Sequence, residues 1–184
     1  GGALTDQAER QFGMRSFHMD ETPDARGQRG TLYLNGKPII LRGGNDMGHM
    51  QLCVMRGDMD QLVEDILIAR LANMNYYRIT QRPVQEEIYD YCDRLGMMSQ
   101  TDLPLFGYLR RNQFSEAARQ AREMERLIRS HPSAIMVSYI NEPFDVAAQR
   151  KGHRHLYRNE LEAFFAAATA AVHVENPDRV VKHV

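Results

Sequence analysis

The chain alternates between short apolar runs that favour β-structure and longer stretches with apolar residues at helical spacing. Residues 1 to 30 are mostly polar, with Gly27 and Gly30 near their end, and read as a linker holding one short strand, Phe12 to Met19. Leu32-Tyr33-Leu34 and Lys37-Pro38-Ile39-Ile40-Leu41 then flank Asn35-Gly36. Two apolar runs around Asn-Gly predict a hairpin, because a two-residue turn needs positions that tolerate positive φ. A loop rich in glycine, methionine and polar residues is expected from Arg42 to Gly57.

From Asp58 onward, helices and strands take turns. Asp58 is the expected N-cap of a helix running to about Asn73, with Leu62, Val63, Ile66, Leu67 and Leu71 on one apolar face. Met74 to Thr80 predicts a strand. Pro83 is expected to open a second helix carrying Ile88, Tyr91, Cys92 and Leu95, which Gly96 ends. Met97 to Thr101 reads as the next strand. Ser115 is the expected cap of a third helix, with Ala117, Ala118, Ala121, Met124, Leu127 and Ile128 inward and a stop before Pro132. Ala134 to Ile140 is the most strand-like run in the chain. A fourth helix, about Asn159 to Val174, and a last strand, Arg179 to Val184, follow.

Strands alternating with helices call for an α/β fold with a parallel sheet and crossover helices. Periodicity leaves open whether that sheet is doubly wound or part of a barrel. No GxGxxG or GxxxxGK[ST] follows any strand, so nucleotide-binding versions lose support. The 184 residues suffice for one packed domain but fall short of the about 250 of a full (β/α)8 barrel. The first residues do not resemble a signal peptide, and their abrupt start suggests a chain that begins within a longer protein.

Composition narrows the partners. No apolar run nears the ~18 residues of a membrane span, so no membrane partner is expected. The 23 basic and 24 acidic residues are well mixed, which offers no nucleic-acid surface either. Cys53 and Cys92 lie far apart without a CxxC pattern and read as buried free thiols. His153 and His155 have no carboxylate at ligand spacing and read as loop residues, while His18, His131, His173 and His183 read as isolated. Neither a metal nor a cofactor is expected.

In a parallel α/β fold, chemistry gathers where strands run out into loops at their carboxyl ends. Those ends offer Arg42, Asn45, Asp46 and His49, then Arg78, Thr80 and Gln81, then Gln100, Thr101 and Asp102, then Ser138, Tyr139, Asn141 and Glu142. Ile140-Asn141-Glu142-Pro143 is the sharpest of them. A carboxyl group beside an amide at the mouth of an apolar strand suits acid/base work on a sugar, with partial burial keeping the acid protonated near neutral pH. The amide could donate to a sugar 2-hydroxyl. As a bare dipeptide, the pair reads more simply as an exposed loop.

Further segments carry a resemblance. Phe12-Gly13-Met14-Arg15, Leu34 to Ile39 and Leu41-Arg42-Gly43-Gly44-Asn45 are similar to the junction where, in glycoside hydrolase family 2, a β-sandwich domain feeds the catalytic barrel. Asp65-Ile66 with Asn73-Met74-Asn75 and Arg78 resembles that family's first helix and second strand. Tyr89 to Gly96 is similar to its F/Y-x-x-C-D-x-x-G segment, and Arg129-Ser130-His131-Pro132-Ser133-Ala134-Ile135 to its R-N-H-P-S-[IV] run before the acid/base strand. Asp178-Arg179-Val180-Val181 fits its fifth strand. The match runs in order from residue 12 to about 143.

The resemblance implies an α/β chain that is a partial (β/α)8 TIM barrel of about five βα units. Residues 1 to 30 would end a preceding β-sandwich domain, and residues 31 to 184 would begin the catalytic barrel. It implies a retaining β-glycosidase acting on terminal β-linked sugars of the galactoside or glucuronide class. Glu142 would be the general acid/base, and Asn141, Arg78, Asn45, His49, Asp102 and Gln81 would bind a carbohydrate substrate. The nucleophile, a second Glu about 5–5.5 Å away, is expected on a later strand, which leaves this piece without turnover by itself. An inverting Glu142/Asp102 pair, a carbohydrate-binding or non-catalytic barrel piece and an unrelated open α/β enzyme are the alternatives. Unpaired sheet edges leave a homo-oligomer open.

Departures from the family pattern bear on the substrate. Met47 stands where the family's first loop, Asn-x-His-x-His, has a histidine, and Gln81 where R-T-S-H-x-P has one. An ordinary β-galactosidase reading weakens accordingly. Arg82 could pair with a uronate, although a solvated surface arginine is the simpler reading.

Overall fold

The computed structural model describes residues 5–9, 11–107, 109–143 and 157–184; His153 and His155 lie outside these described residues. Three antiparallel strands come first: β1 (Phe17–Asp20), β2 (Thr31–Leu34) and β3 (Lys37–Ile39). β2 and β3 form the expected hairpin. Leu34 faces Lys37, and Asn35 (φ 51°) and Gly36 (φ 75°) take the two left-handed turn positions. β1 starts at Phe17, later than expected, and Phe12 and Met14 are exposed ahead of it. Residue 30 therefore lies between paired strands, and the break between sheets falls after Ile39.

Five parallel strands follow: β4 (Gly43–Asp46), β5 (Tyr76–Ile79), β6 (Met98–Asp102), β7 (Ala134–Ser138) and β8 (Val180–Lys182). They lie side by side in sequence order, each added on the same side as the last. A doubly wound sheet reverses direction at a switch point, whereas unbroken order is the winding of a barrel. Strand order thus supplies what periodicity left open: the fold is α/β, with five successive strands of a (β/α)8 barrel.

The helices are α1 (His49–Arg56), α2 (Met59–Leu71), α3 (Glu86–Leu95), α4 (Phe114–Ile128) and α5 (Arg158–Glu175). Asp58 caps α2 as expected, accepting the Gln61 backbone N–H at 3.1 Å. Other boundaries differ. The expected loop from Arg42 to Gly57 is a strand and a helix. β4 contains only Gly43, Gly44, Asn45 and Asp46, so no apolar period marks it, and it exists by pairing with β5. Glycine is required at its start, since a Cβ on Gly43 would lie 1.7 Å from the Tyr76 carbonyl oxygen. Left-handed Gly48 and Gly57 bracket α1, which buries Met50 and Cys53.

α3 begins at Glu86, three residues beyond Pro83. α4 begins at Phe114 after a 3-10 turn (Arg111–Gln113), which puts Ser115 in its first turn and not at the cap. α2 buries a narrow stripe, Leu62, Ile66 and Ala69, while Leu67 and Leu71 face outward. The buried face of α4 includes a charge. Glu125 is fully buried, and the equally buried Arg179 donates to both its oxygens at 2.8 Å. Cys53 and Cys92 are buried free thiols, as expected.

Parallel register aligns Asn45, Arg78, Gln100, Met136 and Val180 in one row across the sheet. Side chains alternate along a strand, so this row shares the inner face with Tyr76, Met98, Asp102 and Ser138. Ile79, Val137 and Tyr139 pack on the opposite face, beneath the helices. At the amino ends of the strands, Phe17, Leu32, Leu34 and Ile39 of the small sheet cover Tyr76, Met98, Met136 and Val180. The inner face is closed by apolar side chains below and polar above.

Several of the segments that carry the resemblance meet at the amino end of β7. Asp93 of α3 pairs with His131 Nδ1 at 2.7 Å and accepts the Ser133 backbone N–H at 2.8 Å. Arg15 donates to the carbonyls of Pro132 and Ala134 at 2.9 and 2.7 Å. A Cβ on Gly13 would lie 2.4 Å from Pro132 Cγ. His131 is therefore not isolated: it is buried between Asp93 and the ring of Tyr89. These motifs secure the barrel at the amino ends of its strands.

Candidate active site

The polar end of the inner face is organised by Arg78. Its Nε and Nη2 donate to Asp102 Oδ2 at 3.0 and 2.7 Å, and Nη2 also donates to Asn141 Oδ1 at 2.8 Å. Asp102 is 1% exposed and Arg78 21%. Gln100 Nε2 donates to Asp102 Oδ1 at 2.9 Å, and the Gln81 backbone N–H approaches Oδ2 at 3.3 Å. A carboxylate so buried is tolerable only because a guanidinium, an amide and a backbone N–H occupy its oxygens. The Tyr76 hydroxyl donates to Gln100 Oε1 at 2.7 Å. Burial, then the charge of Asp102, pushes its pKa up to about 12, which Arg78 only partly offsets. The tyrosine therefore remains a proton donor at neutral pH.

Asn141 lies just beyond β7, where pairing continues as a bridge to Phe106. Its backbone N–H donates to the Leu105 carbonyl, and its carbonyl accepts from Gly107, both at 2.9 Å. Arginine has donors and no acceptor, so the atom that meets Arg78 must be the amide oxygen of Asn141. Among the described residues, the two N–H donors of that amide have no partner. Glu142 follows, exposed, at φ 50°, and without a polar partner among the described residues. The partial burial expected for its carboxyl is absent. Gln81 has φ 66°, so the turns after β5 and β7 both hold a non-glycine residue in the left-handed region. Asn35 and Asn73 take the same region in turns elsewhere, where asparagine tolerates it better than glutamine or glutamate.

The remaining candidates divide. Asn45 is exposed in the same row as Arg78. Gln81 joins through its backbone. His49 does not join: its Nε2 lies 2.6 Å from Asp65 Oδ2 on α2. Asp46 accepts the backbone N–H groups of Gly48 and Met50 at 3.2 and 3.3 Å and so anchors the start of α1. Tyr139 points to the outer face, donating to Thr169 at 3.2 Å. Arg82 donates to Gln51 of α1 at 2.6 Å. Tyr76 was not anticipated, although its position two residues before Arg78 in a strand puts both side chains on one face.

Comparison with known proteins bears on this arrangement. The family model described as "Glycosyl hydrolases family 2, TIM barrel domain" matches residues 26–180. Parabacteroides merdae β-glucuronidase superposes with a TM-score of 0.73 at 20% identity, over 97% of this chain and 22% of that one. Bacteroides uniformis β-glucuronidase 2, bound covalently to a cyclophellitol-6-carboxylate aziridine, gives 0.66 at 24% identity, over 92% and 20%. For the β-D-mannosidase from Dictyoglomus thermophilum, the TM-score is 0.70 at 18% identity, over 98% and 23%. The chain spans about a fifth of the length of these proteins.

Proposed function

The chain belongs to the glycosyl hydrolases of family 2, within their TIM barrel domain, and from that premise we propose that it supplies the acid/base half of a retaining β-glycosidase. Glu142 protonates the glycosidic oxygen as the leaving group departs. The same carboxylate, now ionised, activates the water that releases the sugar from the enzyme. Asn141 donates to the sugar 2-hydroxyl, a contact that strengthens as positive charge develops on the ring. The observation that carries this reading is the Arg78 to Asn141 hydrogen bond, which turns the amide donors free directly before Glu142.

A retaining mechanism needs a second carboxylate about 5–5.5 Å from the first. Asp102 is unsuited to attack, because all its described contacts bind its oxygens to donors. Asp46 is engaged with the backbone of α1. The proposal therefore assigns the nucleophile to a barrel strand other than these five. The substrate is a terminal β-linked sugar. The sugar is of the galactoside or glucuronide class, and Gln81 in place of the family's histidine weakens the galactoside reading.

The test is kinetic, on a polypeptide that carries these residues within a complete barrel. Glu142→Gln should lower kcat/KM by about 10²–10⁴-fold on a poor leaving group and far less on an activated aryl glycoside. Azide, an anion that needs no general base, should restore turnover of the activated substrate. An equal loss on both substrates without rescue would reject Glu142 as the acid/base. The 184-residue chain alone should not turn over nitrophenyl β-glycosides. A product released with inverted anomeric configuration, followed by NMR, would favour the inverting pair instead.

A further inference from the structure

A second cluster of reactive side chains lies between α1 and α2, apart from the Arg78 network. His49 and Cys53 are four residues apart on α1, so they share one face, and Asp65 of α2 closes against them. His49 Nε2 is 2.6 Å from Asp65 Oδ2 and 3.8 Å from Cys53 Sγ. The three donor atoms all lie within 4.8 Å of one another. Gln61 donates to the other Asp65 oxygen at 2.7 Å, which turns Oδ2 toward the histidine.

Both contacts of His49 use the same ring nitrogen. A nucleophile, base and carboxylate relay uses opposite nitrogens of the imidazole, so this geometry does not suit an activated thiol. Three different donors around one point suit a single cation. Imidazole nitrogen, thiolate sulfur and carboxylate oxygen are the ligand types of zinc, and sulfur disfavours magnesium and calcium. We propose that His49, Cys53 and Asp65 bind a divalent transition-metal ion of the zinc class, with water in the fourth position. Cys53 is buried, while the His49 side chain is 64% exposed, so the open position faces solvent from the histidine side. On binding, the Cys53 S–H bond breaks, its proton leaves to solvent and the sulfur electron pair forms the bond to the metal. The Nε2 proton that His49 shares with Asp65 is released to solvent as Nδ1 takes one up, so the hydrogen bond between them is exchanged for two further metal bonds, one from the freed Nε2 lone pair and one from Asp65 Oδ2. Gln61 orients the carboxylate as an outer partner. The ion would tie α1 to α2 beside β4, and the proposal is independent of the glycosidase reading.

Cobalt(II) titration of the full 184-residue chain tests this, because a cobalt–thiolate bond absorbs in the near ultraviolet. The expected result is a charge-transfer band that persists in Cys92→Ser and is lost in Cys53→Ser. Gln61→Ala should weaken cobalt binding by about 10–100-fold, and His49→Ala and Asp65→Asn by more. Zinc should displace the cobalt and raise the thermal midpoint of the parent chain, but not that of Cys53→Ser. Absence of the band in the parent chain, or its survival in Cys53→Ser, would overturn the proposal. If Cys53→Ser does not fold, unchanged cobalt affinity in His49→Ala would overturn it equally.

Discussion

The Nη2 of Arg78 donates to the side-chain oxygen of Asn141 at 2.8 Å across 63 residues of sequence, while the same guanidinium neutralises the buried carboxylate of Asp102. One arginine thus performs two tasks. It makes a buried charge tolerable, and it fixes which end of the Asn141 amide is free. Asp102 reaches Asn141 only through Arg78.

Removing that arginine should be costly for stability. Arg78→Met leaves the Asp102 carboxylate buried without its cation and should destabilise the chain by about 3–5 kcal/mol. Combining it with Asp102→Leu should recover most of the loss, because the unpaired charge is then absent. Urea unfolding of the two single variants and the double variant measures this. Additive losses would contradict the coupling.

Asn141→Ala should act on catalysis selectively, within a complete barrel. A substrate with a 2-hydroxyl should lose at least about tenfold in kcat, equivalent to about 1.4 kcal/mol. The 2-deoxy analogue should change little, because it never made the contact. Comparable losses on both substrates would mean that the amide serves another purpose.

The Asp93 to His131 pair should prove structural. Asp93→Ala strips a partner from a buried imidazole and from the Ser133 N–H, at about 1–3 kcal/mol for each group left unpaired. The urea midpoint should fall, while cobalt affinity at the α1–α2 cluster stays unchanged in the folded protein. A stability within error of the parent chain would refute the clamp at β7.

Alkaline pH should unfold the chain for an identifiable reason. Burial pushes the Cys92 thiol from 9.0 up to about 12, and Tyr89 and Tyr76 from 10.0 up to about 12. The folded state keeps protons that the unfolded chain gives up, so this stabilisation is complete below pH 9 and declines above it. The thiols act first, Cys92 together with Cys53, which burial and the charges of Asp65 and Asp58 also raise, and the tyrosines add above pH 10. Each fully titrating group steepens the fall by about 1.4 kcal/mol per pH unit. Cys92→Ala should flatten the first part of the decline, whatever it does to absolute stability. Urea midpoints from pH 8 to 11 would show it, and an unchanged slope would exclude the thiol.

The sequence alone determined whatever depends on near neighbours along the chain. The period of 3.6 in α2 and α4, the apolar run of β7, the Asp58 cap and the Asn35-Gly36 turn are all local, so the order of elements and the α/β class were legible. The matched segments placed Asn141 and Glu142 at the end of the fourth barrel strand. Tertiary structure decided what depends on partners far away. β4 has no apolar period and forms only against β5, and the barrel winding lies in strand order. Asp102, Arg78 and Asn141 are 24 to 63 residues apart, and nothing local states that one will orient another. His49, His131 and Glu125 each found a partner on another element, Asp65, Asp93 and Arg179. Hydrophobic periodicity records which face is buried, whereas the pairing of charges is set only when helices and strands from different parts of the chain come together.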